Sequence, residues 1–302
     1  MSGSAPAFRQ LVNASRSTVS AVVPGRLHSN QRGASHSSAR SRNIVSSTNS
    51  RLLPEFSLKN KVVVVSGGAR GLGLVQAEAL LEAGATVHAI DRLPSPANDL
   101  SSPFSEVSQR AKDELGTSLT YHQADVRDVA LLNKIMENIA NQSNRLDGLI
   151  AAAGINHETQ ALEHSADVAN RIMSINVTGV FMTAQAAARQ MVRLKQPGSI
   201  CLIASMSGTI ANKGMYAPSL AAEWGQHGIR VNSLSPGYIM TQMLQNLFDD
   251  FPERKVLWPT ENMLNRLSMP HEFRGAAVFL LSDASSFMTG SDLRIDGGHA
   301  AW

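Results

Sequence analysis

Residues 61–73 read KVVVVSGGARGLG, four consecutive valines running straight into a turn studded with glycine. A run that is β-branched and apolar at every position makes a fully buried strand, covered on both faces. In GLVQAEALLEAGA, residues 73–85, apolar positions recur at three- and four-residue spacing, so a helix follows the turn directly. A second strand, TVHAID, comes next and ends on Asp91.

The alternation continues to the end of the chain. Further strands are expected within 119–125, 146–154, 198–205, 228–237 and 291–298, with helices near 104–116, 128–142 and 165–195 and a Pro/Ser/Asn loop beyond Asp91. Parallel neighbours need a crossover connection, and repeated strand–helix–strand units supply it. The expected fold is α/β: a single doubly wound (Rossmann) domain over residues 53–302. It has a seven-stranded, mostly parallel sheet with helices on both faces.

The turn itself has a chemical reading. Gly67 permits a tight bend, Gly71 lets backbone approach a diphosphate, and Gly73 allows the helix to pack closely, while the helix N-terminus offers unpaired N–H donors to an anion. Arg70 and Leu72 belong to the same stretch and are counted with it as cofactor contacts. A glycine cluster alone is weak, but the βαβ setting and Asp91 at the end of the second strand make this a dinucleotide site. A carboxylate there accepts hydrogen bonds from the adenine-side ribose and repels a 2′-phosphate. Arg70 and Arg92 pull the other way, since a guanidinium pairs with that phosphate, or Arg92 is a solvated loop charge. The balance favours NAD over NADP.

Charge is distributed unevenly. Of 27 basic residues, seven arginines fall within residues 1–52, which hold no acid; the remaining 20 face all 24 acidic residues, a balance of about −4. The first 52 residues are Arg-rich, Ser-rich and acid-free, the composition of a mitochondrial transit peptide. A disordered cytosolic extension, or a start codon placed too far upstream, fits the same composition. The expected location is therefore the mitochondrial matrix, otherwise the cytoplasm. A nucleic-acid partner is not expected, because the basicity sits in a Ser-rich segment with little aromatic interleaving. The longest apolar runs fall far short of the roughly 20 residues of a membrane span. The single cysteine, Cys201, allows neither an internal disulfide nor a CxxC metal site.

Taken together, these stretches resemble the short-chain dehydrogenase/reductase family, over roughly residues 57–302. The resemblance implies that Asp125 and Val126 contact the adenine ring, and that Asn176 organises the active-site water. It places Ala153 and Gly154 beside the cofactor, within an Ala-Ala-Ala-Gly where the family often has Asn-Asn-Ala-Gly. In SPGYIMT, residues 235–241, it implies that Ile239 and Thr241 address the nicotinamide amide and the phosphates. The details are most similar to fungal members that reduce ketoses or oxidise polyols.

In the family's chemistry a serine binds the substrate carbonyl, a tyrosine donates its proton, and a lysine one helical turn later lowers the phenol pKa. Ser205 matches the serine, with Ser207 a second candidate. Tyr216 follows Ser205 by eleven residues, closer than the family spacing, and its i+4 position is Leu220. Lys213 precedes Tyr216 in a loop-like stretch, and the next lysine is Lys255. The active-site helix is thus expected to be shortened, covering about ten residues to His227, or about 15 Å. Tyr216 is then either the acid or a loop tyrosine. Without a neighbouring cation a phenol titrates near 10, leaving on the order of one phenolate in a thousand at pH 7. Oxidation of an alcohol suffers most, because it needs the phenolate.

Two functions remain open: an NAD(P)-dependent oxidoreductase interconverting a secondary alcohol and a ketone, with a polyol or ketose as a candidate small-molecule substrate, or a non-catalytic dinucleotide-binding sensor or partner-binding protein. Residues 241–269 are expected to form a substrate lid, with Phe248, Phe251 and Trp258 as apolar walls or as packing. A homo-oligomer is possible, with its usual helical interface cut short. His157 and His227 are expected at the surface.

Overall fold

The computed structural model describes residues 53–94, 103–157, 159, 161–206 and 216–301, with only the backbone of Ala161 and Tyr216. The basic segment 1–52, most of the loop after Asp91, Ser207 and Lys213 lie outside the described residues. In chain order the elements are β1 (Val62–Ser66), α1 (Gly71–Glu82), β2 (Thr86–Asp91), α2 (Pro103–Asp113), β3 (Leu119–Gln123), α3 (Val129–Ser143) and β4 (Gly148–Ala151). Then come α4 (Ala166–Met173), a π-helical segment (Ser174–Gly179), α5 (Val180–Arg193), β5 (Gly198–Ile203), α6 (Tyr216–Trp224) and β6 (Ile229–Pro236). The last are α7 (Gln242–Asp250), α8 (Arg254–Leu257), α9 (Arg274–Leu281) and β7 (Asp292–Ile295).

Among the described residues the seven strands form one sheet in the order β3-β2-β1-β4-β5-β6-β7, and every pairing is parallel. The expectation of a mostly parallel sheet is therefore tightened to a wholly parallel one. The order reverses between β1 and β4, which opens a crevice beyond their carboxyl ends, where doubly wound sheets bind ligands.

The valines of β1 explain why the sheet closes as it does. Val62 and Val64 point into a core formed with α3, α5 and α6, through residues such as Leu132, Met191 and Leu220. Val63 and Val65 point the other way, against Leu80, Phe273 and Leu280 of α1 and the α9 region. Each valine of the run meets a helical layer, so all four positions are apolar.

Local chemistry sets the ends of the helices. Asp128 caps α3 by accepting from Leu131 N–H at 3.0 Å, and Asn144 ends it in the left-handed conformation at φ 51°. The expected long helix over 165–195 is interrupted: α4 passes into the π-helical turn before α5 resumes the α-helical pattern. The described helix α6 spans nine residues, ends at Trp224 rather than His227, and buries Ala217, Leu220 and Ala221 against the sheet. No described helix is long and apolar enough to cross a membrane.

Candidate active site at the carboxyl ends of the strands

The glycine turn between β1 and α1 is built as a cradle. Gly67 lies at φ +69°, and a Cβ there would come within 2.8 Å of the Ala152 carbonyl oxygen and 2.9 Å of Ala153 Cα. The turn therefore presses directly on the Ala-Ala-Ala-Gly segment that follows β4. A Cβ on Gly73 would collide with the Gly67 carbonyl oxygen, so only glycine lets α1 seat against the turn. Gly71, at φ +56°, faces open space. Arg70, the N-cap of α1, makes no side-chain cap, which leaves the first amides of the helix for an anion. These residues fit the diphosphate of a dinucleotide.

Ser66 ties the two walls of the crevice together. Its carbonyl accepts from Ala152 N–H at 3.1 Å and its hydroxyl from Ala153 N–H at 3.4 Å. This residue carried no sequence signal beyond ending a strand. Asp91 stands at the end of β2, where its carboxylate accepts from Ala69 N–H in the glycine turn and from Leu93 N–H. Arg70 and Arg92 are both exposed beside it.

Asp125, just beyond β3, is committed to a partner that the sequence reading did not name. Arg127 donates to its carboxylate from Nη2 at 2.6 Å, from Nε at 3.0 Å and from its backbone N–H at 2.9 Å. Those Arg127 hydrogen bonds hold the Asp125 carboxyl below the usual range. Val126 is buried, and a Cβ on Gly179 would stand 2.6 Å from its methyl group, so the π-helical segment packs against this turn.

Asn176 sits within that segment. Its Oδ1 accepts from Ile155 N–H at 2.9 Å and its Nδ2 donates to the Ile155 carbonyl at 2.8 Å. The amide is thus spent on the loop after β4, next to Gly154, and a π-turn at such a place is a frequent mark of a functional site. Ser205 is exposed two residues beyond β5. Between Asn176, Val180, Phe181, Leu202, Ala217 and Ser233 lies a cavity of about 120 Å³, which borders the carboxyl end of β5.

Tyr216 opens the described part of α6, and Leu220, one turn later, is buried in the core beneath it. The position that would carry a lysine is an apolar packing position in this chain. His157 and His227 are exposed, as expected.

Within residues 241–269 the aromatics pack on one another and on neighbouring side chains. Tyr238 stacks on Trp258 with centroids 4.0 Å apart, Phe248 meets Trp258 edge-on and is buried, and Arg254 lies over Phe251 at 4.1 Å. Thr241 caps α7 by accepting from Leu244 N–H at 3.4 Å, and Ile239 bridges to Ser268.

Residues 67–300 match the family described as enoyl-(acyl carrier protein) reductase. The chain is 37% identical to a short-chain dehydrogenase/reductase of Aspergillus versicolor, over 82% of its own length and 89% of the relative's. It is 35% identical to the ribulose-forming D-arabinitol 2-dehydrogenase of Candida tropicalis, covering 83% and 96%. A gluconate 5-dehydrogenase of Burkholderia cenocepacia, solved with NADP and tartrate, superposes with a TM-score of 0.72 at 30% identity, covering 82% of this chain and 98% of that one. A doubly wound sheet with a glycine cradle at its switch point, matched along this length, places the chain in the short-chain dehydrogenase/reductase family of NAD(P)-dependent oxidoreductases.

Proposed function

We propose that this protein interconverts a secondary alcohol and a ketone on a polyol or ketose, using NAD in preference to NADP. The observation that carries the reading is the juxtaposition at one crevice of the glycine cradle, the Asp91 carboxylate, the Asn176 clamp and Ser205. Gly67, Gly71 and Gly73, with the first amides of α1, hold the diphosphate, and Asp91 receives the adenine-side ribose. Asp125, Val126, Ala153, Gly154, Ile239 and Thr241 line the rest of the nucleotide path. When bound, the nicotinamide gives or takes the hydride.

Ser205 hydrogen-bonds the substrate oxygen, and Asn176 acts as a positioning residue that fixes the loop after β4. Tyr216 is the proton donor of this reading, with Leu220 rather than a lysine one turn after it. Reduction is then the stronger direction, because a protonated phenol already carries the proton to be donated. The polyol or ketose class is supported by the similarity to the arabinitol dehydrogenase. The segment 1–52 directs the protein to the mitochondrial matrix in this reading.

A second reading, a dinucleotide-binding sensor without turnover, is supported by Leu220 filling the core at the lysine's position. Titration with NAD and NADP, followed by assays on D-arabinitol and on ketoses, separates the two. Ketose reduction that Ser205→Ala lowers at least tenfold supports the enzyme. Tight nucleotide binding with no turnover in either direction supports the sensor, and binding of neither nucleotide sinks both.

A further inference from the structure

The carboxylate that ends β2 is not self-supporting. Its contacts to Ala69 N–H and Leu93 N–H are each 3.4 Å, at the long end of hydrogen bonding, so neither fixes the side chain firmly. The anchor comes from the neighbouring strand. Tyr121 of β3 donates its hydroxyl to the Leu93 carbonyl and lies 3.2 Å from the Asp91 carbonyl. A phenol has one proton, which these two oxygens share. Leu93 is therefore held on both sides of the turn, its N–H by the Asp91 carboxylate and its carbonyl by Tyr121.

The ring is seated for this task. Tyr121 pairs in register with Ala89, two residues before Asp91, so the phenol and the carboxylate lie on the same face of the sheet. Phe104 of α2 meets the ring edge-on at 5.7 Å. Burial, helped by the Asp91 charge, pushes the phenol up to about 12. The hydroxyl consequently stays a donor across the physiological range.

We propose that Tyr121 is a positioning residue for nucleotide selectivity: by anchoring the 91–93 turn, it keeps the Asp91 carboxylate where a ribose hydroxyl is accepted and a 2′-phosphate is repelled. The repulsion depends on distance, so a turn free to swing outward relaxes it. The inference rests on the cofactor reading above and adds the residue that makes its selectivity sharp.

The test is calorimetric titration of the full chain with NAD and with NADP, for wild type, Asp91→Ala, Tyr121→Phe and the double variant. Tyr121→Phe keeps the ring and its packing and loses only the hydroxyl. The preference for NAD is expected to fall roughly three- to tenfold, the worth of one hydrogen bond. In the Asp91→Ala background the same substitution should change the ratio no further, which a merely structural role would not produce. Should Tyr121→Phe not fold, Phe104→Leu, which unseats the ring, is read in the same direction. Wild-type protein that binds neither nucleotide, or prefers NADP, removes the cofactor reading and this inference with it. A wild-type preference that Asp91→Ala erases but Tyr121→Phe leaves intact, or equal weakening of both nucleotides by Tyr121→Phe, overturns the role of Tyr121 alone.

Discussion

Gly71 and Gly73 stand two positions apart and are glycine for different reasons. At Gly73 the obstacle is the Gly67 carbonyl oxygen, a backbone atom that cannot swing aside, so Gly73→Ala must displace the turn or the helix. Overpacking of this kind costs about 1–3 kcal/mol, and Gly73→Ala is expected to lower the melting temperature and weaken nucleotide binding together. Gly71 has room for a methyl group but lies at φ +56°. Gly71→Ala should therefore cost about 1 kcal/mol through backbone strain, checked in the same melts and titrations. A different residue pair makes stability depend on pH in the mildly acidic range. On adjacent strands, His88 Nδ1 and His122 Nε2 lie 2.9 Å apart, and burial, with the second ring beside it, pushes His88 down from 6.5 to about 4. Between those values the unfolded chain binds more protons than the folded one, so stability is complete above pH 6.5 and falls as the pH drops toward 4. A loss of about 2 kcal/mol over that window is expected in urea titrations, after allowing for solvent screening of part-exposed rings. His88→Gln should flatten it. Neither ring was singled out in the sequence, because a histidine on a strand has no partner until the register is known.

Helix α6 is where pattern and packing part company. By spacing, position 220 is the lysine site relative to Tyr216, which invites the idea that Leu220→Lys would repair the site. Leu220 is only 5% exposed and belongs to the core shared with α3 and α5. An ammonium placed there loses its hydration without gaining a partner, so Leu220→Lys is expected to destabilise the fold by several kcal/mol and leave turnover unimproved. Circular dichroism melts alongside ketone-reduction assays check it. Residue counting predicts a short helix here, since Ser205 and Tyr216 are too close for the family pattern, and the stretch 207–215 that would test it lies outside the described residues. The π-helical turn of Ser174–Gly179 was not legible, because apolar periodicity over six residues cannot separate one extra residue in a turn from a continuous α-helix. The aromatics of residues 241–269 were ambiguous for a related reason. A sequence names Phe248 and Trp258 but does not say whether their faces meet each other or a ligand.

Next to its β7 edge the sheet is tied to a following helix by a half-buried arginine. Arg230 of β6 donates to Ser285 Oγ at 2.8 Å and to the carbonyls of Leu280 and Ser282 at 3.0 Å, which joins the sheet to the end of α9 and the loop leading to β7. Arg230→Met keeps the apolar stem and removes these donors, while Ser199 and Ser285 hydroxyls still serve the Leu280 and Ser282 carbonyls, so a stability loss of about 1–2 kcal/mol is expected by denaturant titration. Nucleotide affinity of the folded fraction should not change, because the cradle lies across the sheet at β1 and β4. The division between chain and fold is clear in these cases. Which segments become strands, that they run parallel beneath two helical layers, and that a diphosphate cradle follows β1 were all determined by local pattern: valines apolar on every face, glycines at set offsets, helical periodicity between. Which side chains meet was decided only by the tertiary structure: Tyr121 on the Asp91 turn, Arg127 on Asp125, Asn176 on Ile155, Leu220 in the core. The reason is physical, since contacts depend on strand register and helix rotation, which come from packing the whole chain rather than from any stretch of it.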